Sequence, residues 1–354
     1  MTSEPRGPLP RAIVILLGIA ALVVVIAGFR SAAWLLGPAL LALVLTIVVH
    51  PIRGWLDRRM PGWLASLICI IAVYLIVLSL AISIGISAAR FATLLPDYQA
   101  QFADRISQLT DWISSFGISD EQIDQITGSF DLGGLTSLVE SLLAGALNAV
   151  SSVVFILTLA LFMGMDGGTW TRNLIRAADI KPHIVSAIRD FAHGTRTYYA
   201  VSTIFGAIVA ILDTIALEII GVPSPVLWGL LAFITNYIPN IGFVIGLIPP
   251  AILGLLEGGP GMMLAVIIVY CVLNVVIQTV IQPKFVGDAV GLSTTLTFIS
   301  LVFWTWVIGP LGALLAIPLT LLAKALLVDI DPSAQWLRPL ISNKEEPPTE
   351  AEAT

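Results

Sequence analysis

Three amide side chains recur at four-residue intervals in one apolar segment of the chain: Asn274, Gln278 and Gln282. Tyr270 precedes them by the same interval and extends the row. Residues four apart are neighbours on one face of an α-helix, so the pattern predicts a polar stripe on an otherwise apolar helix. Two interpretations remain open. The stripe lines the path of a polar solute, or it joins helices through amide hydrogen bonds inside a membrane.

A second polar feature lies at a break in the apolar segment 222–250, which contains five prolines. Asn236 and Asn240 flank Pro239, and Gly242 follows. Proline interrupts a helix, and backbone groups freed in hydrocarbon need partners in protein or in a water-filled cavity. Broken helices that meet at a polar corner form solute and ion sites in transporters. We therefore expect these four residues to belong to a substrate pathway. The alternative is that the asparagines only cap the carbonyl groups freed by the proline.

Two acidic side chains lie in the apolar run 198–220. An ionisable residue inside a span costs about 2.5–3.5 kcal/mol and marks a candidate functional site. Asp213 is the main candidate for coupling to a cation or a proton, and Glu218, nearer the predicted outer interface, is the second. They stand about 140° apart around a helix, so we expect them on different faces. The alternative for both is a wetted vestibule or a hydrogen bond between subunits.

The composition predicts a membrane protein. Of the 354 residues, 57% are hydrophobic and 11% are charged, whereas soluble domains carry about 25% charged residues. Several apolar runs reach the roughly 20 residues that a bilayer-spanning helix needs. The runs are continuously apolar rather than alternating, which argues against membrane strands. The predicted fold class is an all-α polytopic membrane protein of about eight transmembrane helices, some broken or re-entrant, with an extracytoplasmic helical insert.

Several function classes lack their sequence signals. The two cysteines both lie in apolar runs, and the three histidines have no zinc-site spacing. The chain contains no phosphate-binding glycine loop and no basic patch typical of nucleic-acid binders. No hydrolytic arrangement of Ser and His, or of paired Asp, falls within the spans. We expect no metal, no cofactor, no nucleic-acid partner and no enzymatic activity.

Charge distribution sets the expected topology. The loop 50–61 carries Arg53, Arg58 and Arg59 against one Asp57, and the positive-inside rule places it, with both termini, in the cytoplasm. The expected organisation is a cytoplasmic tail (1–10), transmembrane helices 1–3 (11–88), an acidic extracytoplasmic insert (89–141), transmembrane helix 4 (142–165), a cytoplasmic linker with an amphipathic helix (166–197), a transmembrane core with proline-broken hairpins (198–328) and a cytoplasmic tail (329–354). Whether residues 226–251 cross the membrane or return stays open.

Three segments also carry a family resemblance: residues 50–77, 222–252 and 281–324. The most specific feature is the spacing of Pro239, Gly242, Gly246 and Pro249, supported by the run from Gly309 through Gly312 to Pro318. Over residues 11–330 the chain resembles the AI-2E family of transporters, which includes autoinducer-2 exporters and PerM-like permeases. It departs from the usual pattern at His50, Trp304 and Trp306.

The resemblance implies an inner-membrane protein of about eight spans that forms a homo-oligomer, pentameric in family members. It also implies export of a quorum-sensing signal or, in one branch, sodium/proton antiport.

Three hypotheses about function follow. The first is outward transport of a small polar, uncharged solute such as an autoinducer, passively or by ion-gradient coupling. The second is exchange of a monovalent cation such as Na⁺ for a proton through Asp213. The third is a non-transporting scaffold that acts through the insert at 89–141.

Overall fold

The computed structural model describes residues 11–94, 155–156, 158–164, 169–170, 172–239, 241–282 and 291–341, together with a few positions between 108 and 144. Most of the predicted insert and the site candidate Asn240 lie outside the described residues. Every regular element in the described part of the chain is a helix. The predicted all-α fold class is confirmed.

The first three helices are long and apolar: α1 (Arg11–Ser31), α2 (Ala33–Leu56) and α3 (Gly62–Leu94). Helix α1 has no acidic residue in its first turn and exposes most of its side chains, as a helix facing lipid does. Helix α2 continues through Pro38 and Pro51 and buries one face against the later helices. Its basic end, at Arg53, faces the start of α3.

Helix α4 (Pro182–Ile220) is the longest helix in the described part of the chain. Its 39 residues make it about 58 Å long. Proline in the first turn starts it, and Gly221, with φ of 88°, ends it in the left-handed conformation that favours glycine. The sequence predicts a separate amphipathic helix before residue 198, but the structure joins the two segments without a break. The physical reason is that neither segment contains an internal proline and both follow the same helical period.

The proline-rich segment folds into two short helices, α5 (Pro225–Thr235) and α6 (Gly242–Gly258). They are about 16 and 25 Å long, and α5 is too short to cross about 30 Å of hydrocarbon. Gly242 lies against Thr235, and Gly246 lies against Ala232 and Thr235, so α6 returns antiparallel along α5. Residues 226–251 therefore form a hairpin, and whether that hairpin crosses the membrane or returns to the same side stays a prediction.

Three further helices follow α6: α7 (Pro260–Asn274), α8 (Thr294–Ile308) and α9 (Pro310–Lys324). A π-helical stretch, Val275–Ile281, continues α7, and another, Ala325–Asp329, continues α9. Gly259 and Gly309 adopt almost the same positive φ, 76° and 78°, and each precedes a proline that starts the next helix. A 3₁₀ turn, Pro332–Leu337, leads into the short α10 (Arg338–Ile341).

Helix lengths and composition fit a multi-pass membrane protein. Four described helical stretches are long and apolar enough to cross a bilayer: Ala33–Leu56, Pro182–Ile220, Pro260–Gln278 and Pro310–Asp329. Shorter apolar helices surround them. One buried cluster joins α4, α5, α6 and α7 around Trp228 and Tyr270, and another joins α2, α4 and the α8–α9 hairpin. The broken hairpin therefore packs against α4 and α7, while its residues Val226, Val244 and Ile248 are exposed.

Candidate functional site

The turn between α5 and α6, residues 236–241, is held by polar groups of α4. Asn236 Nδ2 donates to the carbonyl oxygen of Ser202 at 3.1 Å. The Tyr198 hydroxyl donates to the carbonyl oxygen of Tyr237 at 3.0 Å, and the hydroxyls of Thr203 and Tyr237 share a hydrogen bond of 2.8 Å. These bonds satisfy backbone and side-chain groups at the break predicted from Pro239.

The amides of α7 meet the same turn from the other side. Gln278 Nε2 donates to Asn236 Oδ1 at 2.6 Å and to Asn274 Oδ1 at 2.8 Å. Asn274 Nδ2 donates in turn to the carbonyl oxygen of Tyr270 at 2.8 Å. A continuous polar row therefore runs from α7 across Asn236 to α4. Within the described residues, Gln278 Oε1 accepts no hydrogen bond and is not fully buried.

The amide cluster lies beside the middle of α4. Ser202, the partner of Asn236, lies 18 residues before Ile220, or about 27 Å along α4. Gln278 falls inside the π-helical stretch, where the helix is wider than its α-helical neighbours. Single-turn π segments inside α-helices are frequent at functional sites. The four-residue spacing therefore predicts that Asn274 and Gln278 are neighbours, but the helix changes from α to π between them.

Two glycines allow the close approach of the elements at this site. A Cβ on Gly206 would stand 2.6 Å from Asn236 Nδ2. A Cβ on Gly242 would stand 1.9 Å from the carbonyl oxygen of Thr235. Both distances are shorter than any ordinary contact of a carbon atom. A side chain at position 206 would have to displace the Asn236 amide, whereas at position 242 the obstacle is backbone, so glycine is required there for the hairpin to close.

Asp213 lies elsewhere on α4. Its exposed fraction is 0%, and neither carboxyl oxygen has a hydrogen-bond partner among the described residues. The Tyr270 hydroxyl of α7 is also buried and has no hydrogen-bond partner in that part of the chain. Glu218 is exposed, so the two acids do occupy different faces, as their spacing predicts.

The structure brings together Asn236, Asn274 and Gln278 and places Pro239 and Gly242 at the adjacent turn. Gln282 is half-buried beyond the π segment, with no hydrogen bond to the other amides in the described structure. Sequence reasoning missed four partners of the turn on α4 and in the turn itself: Tyr198, Ser202, Thr203 and Tyr237. The four-residue interval between Tyr198 and Ser202 is the signal that could have indicated a polar face at the start of this span.

Fold and site together define a class: an α-helical, multi-pass membrane protein with a proline-broken hairpin whose half-buried polar turn is hydrogen-bonded to two long helices. Broken helices with polar turns at depth are a feature of membrane transporters.

The comparisons with known proteins specify the family. The model of the AI-2E family transporter matches residues 19–330, and the chain belongs to that family. A putative transport protein of Haemophilus influenzae is 32% identical over 330 residues, which cover 91% of this chain and 94% of the relative. The AI-2 transport protein TqsA of Escherichia coli is 33% identical over 318 residues, covering 88% and 90% of the two chains. A putative transport protein of Mycobacterium tuberculosis, MT0215, is 26% identical over 321 residues, covering 83% and 84%.

Proposed function

We propose that this transporter moves a small, polar, uncharged solute past the contact between Asn236 and Gln278. One observation carries the proposal: amides from two elements meet at the turn of a broken hairpin, and Gln278 Oε1 stays open to a further donor. Amide groups can exchange hydrogen bonds with the hydroxyls of a solute without holding a fixed charge. Asn274 supports Gln278 by accepting its second hydrogen bond. Asn240 and Gln282 complete the proposed pathway.

The proposed substrate class follows from a relative. TqsA carries AI-2 in its name, and a quorum-sensing autoinducer is a small polar solute of the kind that the amide cluster suits. Transport would be outward, passive or driven by an ion gradient. We also propose a cytoplasmic-membrane location with both termini in the cytoplasm, the insert at 89–141 outside, and assembly as a homo-oligomer.

Exchange of Na⁺ for a proton is the second candidate function. It is favoured by Asp213, a buried carboxyl group whose oxygens have no partner among the described residues. An antiporter needs a carboxylate that is able to exchange a proton for a cation. The two candidates use different residues, so one set of variants separates them.

The test is flux through proteoliposomes that hold the purified full-length protein. Efflux of a labelled polar solute is measured beside cation-driven proton movement, for wild type, Gln278→Leu, Asp213→Asn and Val272→Leu. Val272 is an exposed residue of α7 that makes none of the amide contacts, so its variant is the matched control.

For solute transport we expect Gln278→Leu to lower the rate at least about fivefold, the equivalent of one hydrogen bond of about 1 kcal/mol. Asp213→Asn and the Val272 control should then keep the wild-type rate. Proton movement that depends on Na⁺ and is lost only in Asp213→Asn would support the antiporter instead. Normal solute efflux by Gln278→Leu would refute the role given to the amide cluster.

A further inference from the structure

A cavity lies away from the amide cluster, between α2, α3 and the helical residues 158–164. It has a volume of about 50 Å³, which is more than one water molecule requires. Its wall is mostly apolar and includes Leu45 and Val49 of α2, Ile70 of α3 and Ala160. Gly164 borders the cavity and has open space where a side chain would stand.

One end of this cavity is basic. His50 and Arg53, one turn apart on α2, line that end. Arg196 of α4 and Asp57 also act electrostatically on His50, so two guanidinium groups and one carboxylate lie near that end. Arg53 pairs with Asp57, at 3.6 Å between Nε and Oδ2, and donates from Nη1 to the carbonyl oxygen of Gly164.

One guanidinium donor near this end is unsatisfied. Arg196 Nε is buried and has no hydrogen-bond acceptor within the described residues, whereas Arg53 Nε, which also makes no hydrogen bond, is ion-paired with the Asp57 carboxylate at 3.6 Å. Buried donors of this kind are uncommon, because each one costs about 1–3 kcal/mol when no acceptor satisfies it. The excess of one positive charge and the unsatisfied Arg196 donor favour an anionic acceptor.

Aromatic residues mark the depth of this end in the bilayer. Trp55, at the end of α2, is 53% exposed, and Trp63, at the start of α3, is 69% exposed. The guanidinium of Arg59 stacks over the Trp55 ring at 4.0 Å. Exposed tryptophans beside arginines are typical of the membrane–water interface. The basic end of the cavity therefore lies about one helical turn from the level of lipid head groups.

We propose that this cavity binds the phosphate group of an anionic phospholipid, with the first methylenes of an acyl chain against its apolar wall. Guanidinium groups match phosphate oxygens in geometry and charge, and basic pockets between transmembrane helices bind anionic head groups. The apolar wall and the interfacial depth favour a lipid over free phosphate as the source of the anion. The site is distinct from the amide cluster and does not depend on which solute the protein carries.

The test is lipid binding by the full-length protein in detergent, measured by native mass spectrometry during titration with phosphatidylglycerol or phosphatidylcholine. The variants are Arg196→Gln, which removes an unused donor, and Ala160→Val, which fills the apolar wall and leaves every charge in place. Arg58→Gln is the matched control, because Arg58 is exposed in the neighbouring loop and carries the same charge. Inorganic phosphate is added in a separate arm.

We expect phosphatidylglycerol to bind in preference to phosphatidylcholine. Arg196→Gln should weaken that binding about fivefold, as expected for one basic residue at a membrane surface. Ala160→Val should weaken it as well, and Arg58→Gln should change it less than about twofold. Each variant is first checked by its elution volume and thermal transition without added lipid.

An equal loss in Arg58→Gln and Arg196→Gln would overturn the proposal, since it would mean diffuse attraction of charge. Wild-type binding by Ala160→Val would overturn it too, and this variant decides the matter if Arg196→Gln does not fold. Displacement of the lipid by millimolar inorganic phosphate would assign the site to free phosphate and refute the lipid.

Discussion

Replacement of Gly242 by alanine tests whether the α5–α6 hairpin is closed by direct backbone contact. The new Cβ would stand 1.9 Å from the carbonyl oxygen and 2.7 Å from the carbonyl carbon of Thr235. Ordinary contacts of a Cβ begin at about 3.4 Å, so the two helix ends must separate by more than 1 Å. The obstacle is backbone, which cannot move aside by changing a rotamer.

The expected cost follows from overpacking. Extra methyl groups in a packed interior cost about 1–3 kcal/mol, and more when backbone must shift. We expect a loss of at least about 2 kcal/mol in the free energy of unfolding for Gly242→Ala. Solute efflux should fall with it, because the turn that carries Asn236 is displaced.

The assay is unfolding in a denaturing detergent titration, followed by helix content and by efflux from proteoliposomes. Gly261→Ala is the matched control: Gly261 lies in the first turn of α7, and a Cβ there meets no atom within 4 Å. Because alanine is the better helix former, this control should be neutral or stabilising by up to about 1 kcal/mol. Equal stability of Gly242→Ala and wild type would refute the direct packing of the hairpin.

Three further predictions concern the turn and the C-terminal end. Gly206→Ala should displace the Asn236 amide and break its hydrogen bond to Ser202. The free energy of unfolding, measured by the same titration, should fall by about 1 kcal/mol, and efflux should fall as well. Unchanged efflux would contradict this prediction. Tyr198→Phe removes the donor to the Tyr237 carbonyl and should speed hydrogen exchange in residues 236–241, with Tyr74→Phe as control. At Asp331, hydrogen bonds from the Ser333 hydroxyl and amide lower the carboxyl pKa. Its contribution to the 3₁₀ turn Pro332–Leu337 is present above the unfolded pKa of about 3.9 and is lost as pH falls through the lower folded value. Hydrogen-exchange protection at 333–337, taken relative to the intrinsic exchange rate at each pH, should fall on acidification in wild type and change less in Asp331→Asn.

The sequence by itself determined the class and the positions of the main breaks. Uninterrupted apolar runs with few charges leave an α-helix in a bilayer as the stable solution, because each backbone group is then satisfied within its own segment. Pro239 and the pair Gly309–Pro310 indicate helix breaks from the local sequence, because proline lacks a backbone N–H donor and glycine adopts a positive φ without strain. The amides of α7 are also visible in the sequence through their four-residue spacing.

Only the tertiary structure decided what those features contact. Helical period cannot tell whether Asn274 and Gln278 face a solute or another helix, and it gives no indication that Asn236, 42 residues earlier, accepts from Gln278. The hairpin return of α6, the continuity of α4 and the burial of Asp213 likewise depend on which helices pack together. Most of the helix surface in this chain is apolar, so the hydrophobic pattern by itself does not select the partner. Small residues and a few polar contacts between distant parts of the chain make that selection.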